Sequence, residues 1–223
     1  MKNLLIILGS LLIFTCCQQQ PRTVQGTDTA TTAGQQPVIQ QDTATAATKR
    51  PAISSEKLVS AGKGIGKISL GSNADKLEQL LGKPDFSDAA MGKAWLTWYS
   101  KRRDEHNNRN ELNIYTTYAD STMRTKTVKQ IRVTSPFYIT ADSLQVYNDL
   151  ARIREIYPDL VSEGTYKEQK GGRMIHLYDA IAQGIAFEAA EANGQQICIG
   201  MIVHEPGKAV TDIYITLHPD LKK

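Results

Sequence analysis

Short runs of apolar and β-branched residues, separated by turn-forming residues, occupy much of the chain from residue 95 onward. Such runs are typical of β-strands, and most neighbouring runs are too close in sequence to have a helix between them. The pattern therefore predicts a sheet in which sequential strands run antiparallel. The predicted strands are 95–100, 112–118, 128–133, 174–178, 185–189, 196–203 and 213–217.

Two helical segments interrupt this series. The first begins with a capping pattern at residues 72–75 and ends at Gly82, and the second extends from Thr140 to Pro158. The order is therefore one helix and then three strands, repeated once, and Pro84-Asp85 recurs as Pro158-Asp159. We expect an α+β fold in which two tandem units, 53–136 and 137–223, form a largely antiparallel sheet with the helices on one face.

The amino terminus has the features of an export signal. Lys2 precedes an apolar run at residues 4–14, which as a helix would rise roughly 16 Å, about half the ~30 Å needed to cross a bilayer. Ile13-Phe14-Thr15-Cys16 then resembles the lipobox of bacterial lipoproteins. The resemblance implies that residues 1–15 are removed and that Cys16 is acylated. Cys17 is the alternative site, and an ordinary secreted protein with two unmodified cysteines is the alternative interpretation.

Residues 18–50 contain eight Gln, eight Thr and no aromatic residue. A segment with so few large apolar side chains buries too little surface to offset the entropy of ordering. We therefore interpret residues 16–52 as a flexible linker with a reach of roughly 30 Å. No acidic run follows the cysteines, which favours a domain that faces the periplasm over one exported to the cell surface.

Composition and motifs point away from nucleic-acid binding and from catalysis. A formal net charge of +3 gives no reason to expect a nucleic-acid partner. The histidines and cysteines form no metal-ligand or nucleophile pattern, so we predict no enzyme, no metal and no cofactor. Cys198 lies in an apolar run and is predicted to be buried, and Glu188 is predicted to be a solubilising residue at a strand edge. His106 is predicted to lie in a solvated hairpin loop, with contact to an anionic lipid or a partner as the alternative.

The segment 68–85 contains Gly71, a short cap, a helix and then Leu81-Gly82-Lys83-Pro84. It resembles the opening motif of the BamE/SmpA/OmlA lipoproteins, and the doubled unit resembles the β-lactamase inhibitor protein fold. The first resemblance implies a lipid-anchored protein of the outer membrane with a part in envelope maintenance. The second implies that a concave sheet binds a protein partner.

Strand alternation assigns side chains to two faces of the sheet. The face opposite the helices would carry large aromatic and basic residues of the kind enriched at protein interfaces. The alternative is that aromatic residues simply favour strands. We expect a non-enzymatic protein-interaction module, with a periplasmic sensor or binding protein for a small ligand or peptidoglycan fragment as the alternative. The predicted partner-binding residues are Trp95, Tyr99, Tyr115, Arg132, His176, Tyr178 and Tyr214.

Overall fold

A computed structural model describes residues 52–168, 171–213 and 215–223. Both candidate acylation cysteines, the predicted signal peptide, all of the linker except residue 52, and Tyr214 lie outside these residues. The strands, in chain order, are β1 (Leu58–Ser60), β2 (Gly64–Ile65), β3 (Ile68–Ser69), β4 (Phe86–Ala90), β5 (Lys93–Arg103), β6 (Arg109–Tyr118), β7 (Lys126–Val133), β8 (Ile139–Thr140), β9 (Val161–Lys167), β10 (Met174–Ala180), β11 (Ile185–Ala192) and β12 (Gln195–Val203).

Eight of these strands form the main sheet, in the order β4-β5-β6-β7-β12-β11-β10-β9, and every neighbouring pair is antiparallel. Two four-stranded meanders therefore meet at β7 and β12. At this junction Ile131 pairs with Val203 and Val133 pairs with Met201. Every strand predicted before residue 204 is present, because alternating apolar residues between tight turns specify hairpins locally.

The fold class predicted from sequence is wrong, because the protein is mostly β rather than α+β. A second sheet of four short strands, in the order β3-β2-β1-β8, occupies the side that we expected helices to cover. Its β1–β8 pair is parallel and its other pairs are antiparallel. Among the described residues the α-helices are only α1 (Leu77–Leu81) and α2 (Leu150–Ile156). A short 3-10 turn, capped by the side chain of Asn73, precedes α1.

The predicted helix from Thr140 begins ten residues late, at Leu150. Ser143 and Tyr147 have φ values of 65° and 79°, which interrupt a right-handed helix. The backbone at 147–148 instead pairs with Cys198: Tyr147 N donates to the carbonyl of Cys198, and Cys198 N donates to that of Asn148. Of the apolar residues that suggested a helix, Leu144 is therefore buried as part of an irregular segment docked on β12, whereas Leu150 and Ile153 are buried as part of α2.

The main core lies between the two sheets and includes residues from both meanders, such as Ile114, Ile131 and Phe187, together with Val59 of the small sheet and Ile153 of α2. The opposite face of the main sheet is covered by residues 204–213 and 215–223, which we call the C-terminal segment. The described residues of the predicted final strand, 213 and 215–217, belong to this segment and to no strand. Both faces of the main sheet are thus largely buried, one by a second sheet and one by the end of the chain.

Candidate functional site: a cleft beside the C-terminal segment

The C-terminal segment is held to the main sheet through its own backbone. Gln130 Nε2 of β7 donates to the carbonyl of Val210 at 2.7 Å, and Trp95 Nε1 of β5 donates to that of Ile215 at 2.9 Å. Near the chain end, Thr165 of β9 and Lys222 exchange two backbone hydrogen bonds of 2.8 Å. The sheet face therefore binds an irregular polypeptide segment through both side-chain and backbone bonds to its main chain.

A buried histidine–carboxylate pair anchors the start of this segment. His204 Nε2 lies 2.8 Å from Asp179 Oδ1, and the other carboxylate oxygen accepts a hydrogen bond from Val210 N at 2.7 Å. Both side chains are buried. Because one carboxylate contacts the segment at two points, Asp179 fixes where it turns back across the sheet.

A second buried pair, between Arg132 of β7 and Glu188 of β11, lies near the centre of the same face. Arg132 Nε lies 2.8 Å from Glu188 Oε2, and its terminal nitrogen NH2 lies 2.7 Å from the same oxygen. The intervening strand β12 has Gly200 opposite Glu188, and a Cβ at this position would collide with the carboxylate. The glycine therefore leaves the space into which Glu188 reaches toward Arg132.

Further contacts satisfy both charged groups. Arg132 NH1 donates to Glu111 Oε2 at 3.0 Å and to Asn113 Oδ1 at 2.8 Å, both on β6. His218 Nε2 of the C-terminal segment lies 3.1 Å from Glu188 Oε1, and its ring stacks on Tyr166 of β9 with 3.7 Å between ring centroids. The network thus extends from β6 across the sheet to β9 and ties the C-terminal segment to it.

Burial alone would disfavour the charged forms of Glu188 and Arg132. The charge of Arg132 and the hydrogen bond from His218 outweigh this effect, so the pKa of Glu188 lies well below its ordinary value. The charge of Glu188 likewise raises the pKa of Arg132 despite its burial. Burial, with a contribution from Glu188, raises the pKa of Tyr166. The charged pair and the neutral phenol are therefore the stable forms.

An open cleft of about 310 Å³ lies directly above this network. Its floor contains Asn113 and Arg132, and Tyr99, Tyr166 and His218 are among the side chains that line it. A smaller hollow of about 160 Å³ shares Glu111, Arg132, Glu168 and Ile199 with the cleft. The two hollows form an uncovered part of the sheet face with polar and aromatic walls, which suits recognition by hydrogen bonding and stacking.

The residues predicted to form an open partner surface are mostly not exposed. Trp95 and Tyr115 are only 3% and 2% exposed, and Arg132 is buried with Glu188. Their positions on the face opposite the main core are as predicted, but the C-terminal segment lies over that face. Tyr99 is half-buried and lines the cleft, where Arg109 lies 4.6 Å from the centre of its ring. Tyr99 is thus the predicted aromatic residue that a ligand in the cleft can reach.

Strand β10 has the opposite orientation to the one predicted. Tyr178 packs in the main core and His176 stacks on it, whereas Ile175 and Leu177 face the side that the C-terminal segment covers. The prediction assumed that apolar residues on every strand point to one core. Because the C-terminal segment forms a second apolar layer with Val210 and Leu221, β10 buries its aliphatic residues there instead.

Sequence reasoning missed the buried charged residues. Glu188 was predicted to be a solubilising residue, and Asp179, His204 and His218 carried no motif. The available signal was position: an acidic residue in the middle of Ala186-Phe187-Glu188-Ala189-Ala190 has no exposed edge to occupy. A charge within an uninterrupted apolar run usually has a buried partner. Cys198 is buried as predicted, and burial raises the pKa of its thiol to about 12.

Comparisons with known proteins add little. No protein-family model matches the chain, and no curated protein matches it. Among solved structures the chain is similar to that of the uncharacterized protein YfeY from Escherichia coli, with 7% sequence identity and a TM-score of 0.35 over 66% of this chain and 99% of that one. A TM-score this low supports no inference about fold or function. In the part of the chain that the structure describes, no helix is long and apolar enough to cross a bilayer.

Proposed function

We propose that this chain is a lipid-anchored protein of the bacterial envelope whose folded part binds another protein without catalysing a reaction. The binding surface is the cleft beside the C-terminal segment, not the whole aromatic face. One observation carries this proposal: the same sheet face already binds an irregular polypeptide segment, its own C-terminal segment, in part through side-chain bonds to the backbone. A partner segment in the adjoining cleft would meet the same kind of surface.

The cleft has the chemistry that such a partner needs. Tyr99 offers an aromatic ring, and Glu111 and Asn113 supply oxygen atoms beside the guanidinium of Arg132. Large rigid aromatic residues next to a fixed arginine are typical of the centres of protein interfaces. Because Arg132 is held by Glu188, the floor is fixed before a ligand arrives, which lowers the entropic cost of binding.

Site-specific photo-crosslinking in intact cells tests the binding surface. A photoreactive phenylalanine analogue replaces Tyr99 in one variant and Phe137, an exposed residue outside the cleft, in the other. The proposal expects one discrete protein adduct at position 99 that is absent at position 137. The same adduct at both positions, or none at position 99, contradicts it.

Metabolic labelling with a fatty-acid probe tests the anchor separately. If Cys16 is acylated, Cys16→Ala abolishes labelling and Cys17→Ala leaves it intact. The reverse result assigns the acyl group to Cys17. Unlabelled mature protein in the soluble envelope fraction contradicts lipid anchoring in either form.

A second candidate function is binding of a small polar ligand such as a peptidoglycan fragment. The favouring observation is the polar cleft of about 310 Å³ with the rings of Tyr99 and Tyr166 at its walls, because sugars combine hydrogen bonding with stacking. Titration calorimetry with soluble muropeptides is the direct test. Saturable binding that Tyr99→Ala weakens favours this function, and absence of heat at every concentration at two well-separated temperatures eliminates it.

A further inference from the structure

One end of the main sheet presents two hairpin tips that each expose a methionine. Met91 lies between β4 and β5 and is 76% exposed, and Met123 lies between β6 and β7 and is 66% exposed. Both have positive φ values, 50° and 56°, within tight turns. Large apolar side chains are uncommon at such exposed turn positions, where Gly, Asn and Asp dominate. Two of them on neighbouring tips form a surface feature that needs an explanation.

The two tips form one continuous surface. Tyr118 at the end of β6 lies against Gly92, where a Cβ would collide with its ring, so this ring contacts the β4–β5 tip. On its other side Tyr118 pairs with Lys126 of β7, whose Nζ lies 5.6 Å from the centre of the ring. The ring of Tyr118 therefore connects the turn containing Met91 to the strand that follows Met123.

Basic residues flank the methionines. Lys93 follows the first tip, and Arg124 and Lys126 follow the second, while Asp120 is the acidic residue within that tip. Arg124 is exposed and both lysines are half-buried. Apolar groups surrounded by cations match the chemistry of a bilayer surface, where anionic headgroups cover an apolar interior.

The opposite end of the sheet provides an internal contrast. The β5–β6 tip also has basic residues nearby, including the exposed Lys101 and Arg102. Its turn, however, is Asp104-Glu105-His106-Asn107-Asn108 and contains no apolar side chain. The β5–β6 tip therefore has positive charge without a methionine; Met174, which is 50% exposed, lies at this end of the sheet but is the first residue of strand β10.

We propose that residues 89–94 and 119–126, which we call the methionine tips, dock on an anionic lipid bilayer. Met91 and Met123 enter the boundary between headgroups and acyl chains, and Lys93, Arg124 and Lys126 contact lipid phosphates. Docking would orient the folded part relative to the membrane, in addition to any attachment through the amino terminus. A protein surface as the partner of these tips is an outcome that the experiment distinguishes.

The test uses the mature full chain in liposomes of phosphatidylethanolamine and phosphatidylglycerol that contain a brominated lipid. Single variants Met91→Trp, Met123→Trp and His106→Trp report immersion by quenching of the added fluorescence, after subtraction of the signal from Trp95 and Trp98. Each variant has the same amino terminus, so an acyl anchor affects all of them equally. Thermal melting first confirms that each variant is folded.

The expected result is roughly twofold or greater quenching at positions 91 and 123 relative to 106, because interfacial apolar groups lie several ångströms below the headgroups. Arg124→Glu with Lys126→Glu reduces that quenching, and the matched reversal Lys101→Glu with Arg102→Glu does not. Equal quenching at all three positions overturns the proposal. Quenching that is insensitive to the Arg124 and Lys126 reversal also overturns it. So does an absence of quenching at positions 91 and 123 when a photoreactive analogue at the same two positions forms a protein adduct in intact cells.

Discussion

The two faces of the main sheet are buried by different means. On one face, residues such as Ile131 and Phe187 pack against the small sheet and α2 in the largest apolar cluster. On the other, the C-terminal segment is held by hydrogen bonds and by two buried pairs, Arg132–Glu188 and His204–Asp179. Apolar packing is non-directional, whereas buried charges are stable only with every partner present. The first face therefore provides most of the stability, and the second fixes where one segment lies.

The largest expected effect is on the apolar face. Phe187 is fully buried and its ring centre lies 5.3 Å from that of Tyr157, so Phe187→Ala removes both contacts and volume. We expect the free energy of unfolding to fall by about 3–5 kcal/mol. Phe86→Ala is the control, because Phe86 is 58% exposed and its removal should change stability by less than about 0.5 kcal/mol. Urea unfolding measures the stability of both variants. Similar losses of stability in Phe187→Ala and Phe86→Ala would contradict the assignment of the main core to this face.

On the polar face, removal of one charge should cost more than removal of the pair. Arg132→Met leaves the carboxylate of Glu188 buried without its counter-charge, and we expect a loss of about 3 kcal/mol or more. The double variant Arg132→Met with Glu188→Leu should lose substantially less. Arg173→Met is the control, because Arg173 forms a more exposed ion pair with Glu168. We expect it to lower the free energy of unfolding by about 0–1 kcal/mol. If the single and double variants lose equal stability, the buried pair is not coupled.

The same pair predicts a dependence on pH. The folded-state pKa of Glu188 is depressed, so its contribution to stability is complete above the unfolded-state pKa of about 4.3 and is lost as pH falls through lower values. Wild-type protein should therefore lose up to about 1.4 kcal/mol more per pH unit below pH 4 than Glu188→Gln does. Urea unfolding at several pH values measures the difference in unfolding free energy between wild type and Glu188→Gln. The other carboxylates are present in both proteins, so their contributions cancel in this difference. Parallel curves would show that the pKa of Glu188 is not depressed in the folded protein.

Local sequence patterns predicted most of the hairpins of the main sheet. They did not predict which parts of the chain pack on its two faces. Strands such as β6 and β12 contain recognisable apolar runs and were predicted, as was the burial of Cys198. Strand β4 is exposed along its whole length and β9 contains Gly164, so neither has a regular apolar alternation. Whether a strand is missed thus depends on how much of it the fold buries.

The candidate site was less predictable because it depends on contacts between residues far apart in sequence. Arg132 and Glu188 are 56 positions apart, and Trp95 and Ile215 are 120 positions apart. Alternation identifies which residues share a face on one strand, but not what lies on that face. Among the described residues of the C-terminal segment, only Lys222 has a strand-like pairing with the sheet, at Thr165, so the course of the segment follows mainly from individual side-chain bonds.

The smallest expected effect comes from the same substitution, tryptophan to phenylalanine, made once on each face of the main sheet. Trp95 Nε1 donates to the carbonyl of Ile215 on the polar face, and Trp98 Nε1 donates to that of Gly82 at 3.0 Å beside the main core. Phenylalanine in place of either removes one hydrogen bond and should cost about 1 kcal/mol. Because the C-terminal segment depends on such bonds, Trp95→Phe should also accelerate amide hydrogen exchange in residues 210–217, while Trp98→Phe should not. Equal acceleration by both variants, or by neither, would mean that the indole of Trp95 does not hold the segment on the sheet.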